Sequence, residues 1–316
     1  MTDSVCFVPS SNGYGHLRRV SSIAKALKES KEVKTTLVWN KEKEFPQGIF
    51  PNGSFDKIVF SQTPLLFDGP RIIHEIKDNS SKKNLGDLFS SYDIVLSDTL
   101  TWPLRVRNDA MFLGQFTWEF YHQRLEYGSG ISELSASNFG WLENPAFSMG
   151  EFTWDEMSHF TKLVRLPVFD YWNIRNQTIS EREEILVSFS GTKSFSEQSK
   201  EIGCLNFAPR AVRGLENYIR ENGQKPLGII CRPGLGIISE CISAKVIPII
   251  VKVEDPEMVF NRKILIDHLE IAVDFEQIQN LNQMQLFEFL INFKSTIRWP
   301  EVISSSEFAR KYIVKK

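Results

Sequence analysis

The sequence predicts an α/β protein built as two βα-type domains in series. Three observations carry that expectation. Short apolar runs rich in Val, Ile and Phe alternate with longer amphipathic stretches, as strands and crossover helices do around a parallel sheet. The alternation gives way to a polar and aperiodic stretch at 170–183, and then restarts. Finally, 316 residues exceed what one core usually fills, at roughly 100–200 residues per domain. Two domains facing across a ligand-binding cleft follow.

In the first half, strands are expected at 5–9, 35–39, 57–60, 93–97 and 111–115, each of the length buried parallel strands adopt. Between the first two, Leu17, Val20, Ile23, Ala24 and Leu27 share one helical face, with Arg18, Arg19, Lys25 and Lys28 elsewhere. Strand, loop, helix and strand make a βαβ unit. From 115 to about 164 the pattern loosens into an aromatic region holding Trp118, Phe120, Tyr121, Trp141 and Trp154. Most of these rings are expected to fill a core, with a few left to line an acceptor pocket. A last strand at 163–169 closes the first domain, residues 1–169. Residues 170–183 are the linker, and 184–316 the second domain, with strands at 184–190, 227–231 and 246–251. Helices are expected at about 209–221, 236–244 and 282–293.

Composition narrows the function. Lys+Arg 37 against Asp+Glu 39 gives a net charge of −2, without the cationic excess of a general nucleic-acid binder. Cys6, Cys204, Cys231 and Cys241 include no C-x-x-C pair and read as reduced core residues of a cytoplasmic protein. The apolar run 5–8 is too short for a signal segment, and the stretch 226–251 is broken by Arg232, Pro233, Gly234, Glu240, Lys245 and Pro248. No His/Cys/Asp cluster stands at metal-ligand spacing, so no metal is expected.

Two turns carry chemistry. Ser10-Ser11-Asn12-Gly13-Tyr14-Gly15-His16 leads from the first strand into the helix. Gly13 and Gly15 let the backbone approach a ligand, and the helix N-terminus behind them offers N–H groups and a positive dipole end. Large side chains at Arg19 and Val20 exclude the dinucleotide fingerprint, and the Gly-Lys-Ser/Thr of a P-loop is missing. His16 then stands at the C-terminal edge of the sheet, as does Asp98 after the strand 93–97. A carboxylate accepting from one imidazole nitrogen makes the other a better base. The pair can meet only if its two strands are near neighbours, and a histidine at a helix start is otherwise a packing or capping residue. In the second half, Cys231-Arg232-Pro233-Gly234-Leu235-Gly236 runs from a strand into a helix whose first amides can hold an anion. Glu240 lies one turn in, placed to accept from a ribose diol or to offset the helix dipole.

Taken together, strand–Gly-x-Gly-His–helix, Arg-Pro-Gly-x-Gly-x-x-Ser-Glu and the acidic loop 254–261 ending in Asn261 resemble the GT-B glycosyltransferases. The resemblance is closest to the family 28 type, which includes the N-acetylglucosaminyltransferase of lipid II synthesis. It implies two Rossmann-like domains and transfer of a sugar from a nucleotide diphosphate, with a UDP-sugar as the expected donor. His16 would act as the base and Asp98 would orient it. The resemblance further implies diphosphate contacts at Ser190, Gly191 and Thr192. Donor phosphates would sit at Arg232, Gly234, Leu235 and Gly236, the ribose at Glu240, and the donor sugar at Glu257 and Asn261. The acceptor would be a small molecule, a glycan or a lipid-linked group. That last class, with the mixed apolar and basic run 102–107, adds the expectation of peripheral contact at the inner membrane face. Two departures stand out. The stretch between Gly191 and Pro226 is short for a full second domain, and Met258 replaces a common sugar-binding Gln. They leave hydrolysis of a sugar nucleotide, or binding without catalysis, as alternatives to transfer.

Overall fold

The computed structural model describes residues 4–11, 14–41, 43–45, 53–61, 86–124, 140–174, 178–188, 209–212 and 214–314. The chain divides into two compact units, one of residues 1–167 with 303–316 and one of residues 168–302.

The first unit is a seven-stranded sheet in the order β3-β2-β1-β4-β5-β6-β7. Its strands are β1 (Ser4–Pro9), β2 (Lys34–Asn40), β3 (Lys57–Ser61), β4 (Ile94–Asp98), β5 (Met111–Leu113), β6 (Pro145–Met149) and β7 (Lys162–Leu166). Every neighbouring pair is parallel. Helix α1 (Tyr14–Ser30) crosses over from β1 to β2, and the expected apolar face of Leu17, Val20, Ile23, Ala24 and Leu27 is fully buried. The chain starts in the middle of the sheet, builds outward to β3, and returns to the other side of β1 as β4. That places the reversal of strand order between β1 and β4, the position at which open α/β sheets bind ligands. In register, Pro9 lies beside Asp98.

Two details of the first half differ from the sequence reading. Strand β6 falls inside the aromatic region and sits between β5 and β7; five residues opening on a proline and closing on Ser148-Met149 carry no alternation to betray it. The single strand expected at 163–169 is two, β7 and β8 (Val168–Asp170), because Pro167 cannot donate to a ladder. The aromatic residues fill the core: Phe116, Trp118, Tyr121 and Trp154 are buried against one another, with ring centroids 4.7–6.1 Å apart. Helices α2 (Trp102–Val106) and α3 (Trp118–Arg124) follow β4 and β5. In α2, Trp102, Pro103 and Leu104 are buried, so this run packs its apolar side into the core. Among the described residues, no helix is long and apolar enough to cross a membrane.

The second unit holds a parallel sheet in the order β10-β9-β11-β12-β13. Its strands are β9 (Ser180–Ser188), β10 (Arg210–Ala211), β11 (Gln224–Cys231), β12 (Ile247–Ile250) and β13 (Val273–Asp274). Strand β9 begins inside the stretch read as linker, since its first half is polar and exposed and only Ile185 to Ser188 is apolar or buried. The helix expected at 209–221 is shorter: β10 comes first, and α4 (Leu215–Asn222) starts after Gly214 and stops at Gly223, whose φ of 65° is left-handed. Helix α5 (Leu235–Ala244) joins β11 to β12, and α6 (Pro256–Lys263) follows β12. Two more follow β13: α7 (Phe275–Ile278) and α8 (Gln283–Thr296), the latter opened by an Asn282–Gln285 capping box. Ile185, Leu227, Ile230, Ile249, Val273, Leu286 and Leu290 make up much of this core.

The last residues do not belong where the sequence placed them. Residues 303–316 join the first unit, not the second. Ser304 caps helix α9 (Ser305–Phe308), and Phe308, Ala309 and Ile313 are fully buried. Phe308 meets Phe147 of β6 edge-on at 5.3 Å, and Ser305 shares a hydrogen bond of 2.7 Å with Ser22 of α1. A buried serine pair and one phenylalanine give no period by which sequence could assign the segment to a distant partner.

Candidate functional site

In the first unit, the strand order brings His16 and Asp98 together. β1 ends at Pro9 and α1 begins at Tyr14, so His16 lies in the first turn of the helix, directly above the end of the neighbouring β4. His16 Nδ1 donates to Asp98 Oδ1 over 2.8 Å. With that proton fixed by the carboxylate, Nε2 carries the lone pair. Asp98 is fully buried, whereas the His16 side chain keeps 19% exposure.

Two further residues complete the cluster, and sequence reasoning missed both. Arg19 follows His16 by one helical turn and is 4% exposed. Its Nε donates to Asp98 Oδ2 over 2.6 Å and its Nη2 to Oδ1, a fork on both carboxylate oxygens, while Nη1 reaches Met149 Sδ at 3.4 Å. The Thr99 hydroxyl donates to Asp98 Oδ1 over 2.8 Å and lies 3.1 Å from His16 Nδ1. Thr99 has φ 68°, a left-handed conformation rare for a β-branched residue and costly by roughly 1–3 kcal/mol. Its amide donates to the Leu113 carbonyl of β5, which holds the turn in place. The signal for Arg19 was the i, i+3 spacing from His16, hidden because an arginine off the apolar face reads as solvated. Burial alone would raise the Asp98 carboxyl; the charges of Arg19 and then His16, with their hydrogen bonds, outweigh it and hold Asp98 at about 2.

Gly15 is exposed in the same first turn, and a Cβ built on it would meet no atom within 4 Å. Gly13 lies outside the described residues.

In the second unit, the strand order reverses between β9 and β11, whose ends Ser188 and Cys231 are in register. Ser190, Gly191 and Thr192 follow β9 but lie outside the described residues, as does Cys204. The turn after β11 is described in full. Gly234 is the N-cap of α5, with φ −71°, and Ile238 is the residue that bonds back to its carbonyl. The amides of Leu235, Gly236 and Ile237 therefore occupy the helix end where backbone donors have no intrahelical acceptor. Cβ atoms on Gly234 and Gly236 would meet nothing within 4 Å. Neither glycine is demanded by a neighbouring atom, and the open space beside them suits an anion at the positive end of α5. Arg232, half-buried, opens this turn, and its carbonyl accepts from Gly234 N–H.

Two residues expected to touch the donor have structural tasks. Glu240 is 5% exposed, and its Oε2 accepts from the amides of Leu215 and Glu216 at 2.9 and 3.2 Å. It caps α4 from a neighbouring helix, which Gly214, with φ 135° and no side chain to cap with, cannot do. Asn261 is fully buried and donates from Nδ2 to the Pro233 carbonyl at 2.9 Å. With no exposed surface it cannot reach a sugar; it braces the turn at 232–234. Glu257, half-buried in the first turn of α6 behind the Asp255 cap, remains accessible. Cys6, Cys231 and Cys241 are buried and free, and burial pushes the Cys6 thiol far above its ordinary range.

No protein-family model and no curated protein sequence matches the chain. Solved structures do. LpCGTa in complex with UDP superposes with a TM-score of 0.58 at 13% identity, over 98% of this chain and 95% of that one. UGT89C1 of Arabidopsis thaliana, complexed with quercetin, gives 0.55 at 11% identity, over 94% and 90%. A UDP-glucosyltransferase from Polygonum tinctorium, capable of glucosylating indoxyl, gives 0.53 at 15% identity, over 98% and 97%. The chain shares the GT-B fold of these proteins, with its two Rossmann-like domains.

Proposed function

We propose that the chain transfers a sugar from a nucleotide-diphosphate donor to an acceptor hydroxyl. The observation that carries the reading is the His16–Asp98 pair, standing at the strand-order reversal of the first unit. The GT-B fold shared with UDP-bound and UDP-glucosyltransferase structures supports it, and makes a UDP-sugar the donor of choice.

In this reading, Nε2 of His16 takes the acceptor's proton as its oxygen attacks the anomeric carbon and the bond from that carbon to the diphosphate breaks. Asp98, already ionised, stabilises the imidazolium that forms. Charge on the departing diphosphate is met by the amides at the start of α5, pre-aligned before the reaction. Arg232, Ser190, Gly191 and Thr192 add donor contacts, and Glu257 contacts the donor sugar. Glu240 caps α4 through Oε2, and Asn261 braces the turn at 232–234. Backbone dipoles thus take the place a metal ion has in other transferases. The acceptor belongs to the small-molecule class that quercetin and indoxyl represent for the relatives.

His16→Ala should lower transfer by at least about 10²-fold while UDP binding, measured by calorimetry, persists. Unchanged turnover would remove His16 as the base. Release of free sugar at full rate without acceptor would instead make the chain a sugar-nucleotide hydrolase.

A further inference from the structure

We propose that Arg19 is a positioning residue for His16, locking the Asp98 carboxylate on Nδ1 and cancelling the charge with which Asp98 would otherwise hold a proton on the ring. The inference rests on the transferase reading for its kinetic consequences, and on geometry alone for its electrostatic ones.

The geometry has two parts. By occupying Oδ1 and Oδ2 together, the guanidinium fixes the plane of the carboxylate, so that Oδ1 stays directed at His16. The Met149 sulfur accepts from Nη1 and anchors the fork from β6. The second part is charge. Around an uncharged ring, Asp98 alone would leave a charge of −1 and favour imidazolium; Arg19 brings that sum to zero. A neutral imidazole is the form that can accept a proton, and a less stabilised imidazolium returns it more readily.

Among the described residues, α1 itself also carries Arg18, Lys25, Lys28 and Glu29. Among the elements packed on α1, β4 brings Asp98, while β1 and β2 bury uncharged side chains there. The C-terminal segment contributes Glu307, tied to the Ser304 cap, and Arg310 and Lys311, both exposed.

Two variants separate the parts. Arg19→Lys keeps the charge and loses the fork. It should lower kcat about tenfold, with KM and the acidic limb of the pH–rate profile nearly unmoved. Arg19→Met loses both, and should also move the acidic limb upward by about one pH unit or more. An NMR titration of the His16 ring reads the same displacement without any turnover: the midpoint of its resonances should rise in R19M relative to the unsubstituted protein and hold in R19K. An R19M midpoint that stays or falls overturns the proposal. If R19M does not fold, D98N and the R19M/D98N double variant carry the same comparison. The D98N midpoint should then lie about one pH unit below that of the double variant, and equal midpoints overturn the proposal. A displaced midpoint in a protein that transfers no sugar would retain the coupling and remove the transferase reading instead.

Discussion

At the scale of single residues, Asp98 is the group on which the first unit's site turns. Its carboxyl is held at about 2 by charges that outweigh its burial, against about 4 in an unfolded chain. A depressed folded value stabilises the native state above the unfolded one and loses that stabilisation as pH falls through the folded one. The native state should therefore gain about 2 kcal/mol between pH 2 and pH 4 from this group. Urea titrations at both pH values, on the parent and on Asp98→Asn, check this: the gain should be smaller by that amount in the variant, and equal gains would refute the assignment. Sequence named His16 and Asp98 because each follows an apolar strand. What it could not supply was adjacency, since strand order depends on which side of β1 the chain returns to after β3. Arg19 was hidden for a related reason: a buried arginine is recognisable only once its carboxylate is in place.

At the scale of elements, helix ends decide what the second unit's motif residues do. Glu240 looks, in sequence, equally suited to a ribose or to a dipole; the strand β10 and the Gly214 turn bring α4 to it and settle its carboxylate on two amides. Glu240→Ala should cost about 1–2 kcal/mol in chemical denaturation without nucleotide. A variant as stable as the parent would show that the cap carries no weight. Helix α5 ends on Lys245 in the left-handed region, with φ 56°. Glycine adopts that conformation without penalty, and Lys245 also crowds Lys225, whose ammonium is lowered by burial and by that neighbour. Lys245→Gly should thus stabilise by about 0.5–1 kcal/mol, read as a rise in melting temperature. A fall would mean that the Lys245 side chain makes contacts worth more than the backbone strain. Asn261 teaches the same lesson as Glu240. Its place in the motif was legible, but its burial against the Pro233 carbonyl depends on how α6 docks, which no local pattern encodes.

At the scale of the whole molecule, the parallel order of both sheets was readable from the alternation of strands and helices, and the polar stretch near 170–183 marked the neighbourhood of the divide. The destination of the last residues was not readable, because a partner nearly three hundred positions away leaves no period in the sequence. Phe308 is fully buried against Phe147 and Tyr312. Phe308→Ala should destabilise the first unit by about 3–5 kcal/mol, seen as loss of amide-exchange protection in α1 and β6 while β11 and β12 keep theirs. Uniform loss across both units would show that they unfold as one. This return of the chain also bears on how the protein is made. The ribosome releases residues 303–316 only after all of residues 168–302, so α1 waits for its covering segment through the synthesis of an entire second unit. A nascent first unit must stand with that face bare, and an expression fragment cut near residue 167 would carry the same defect permanently.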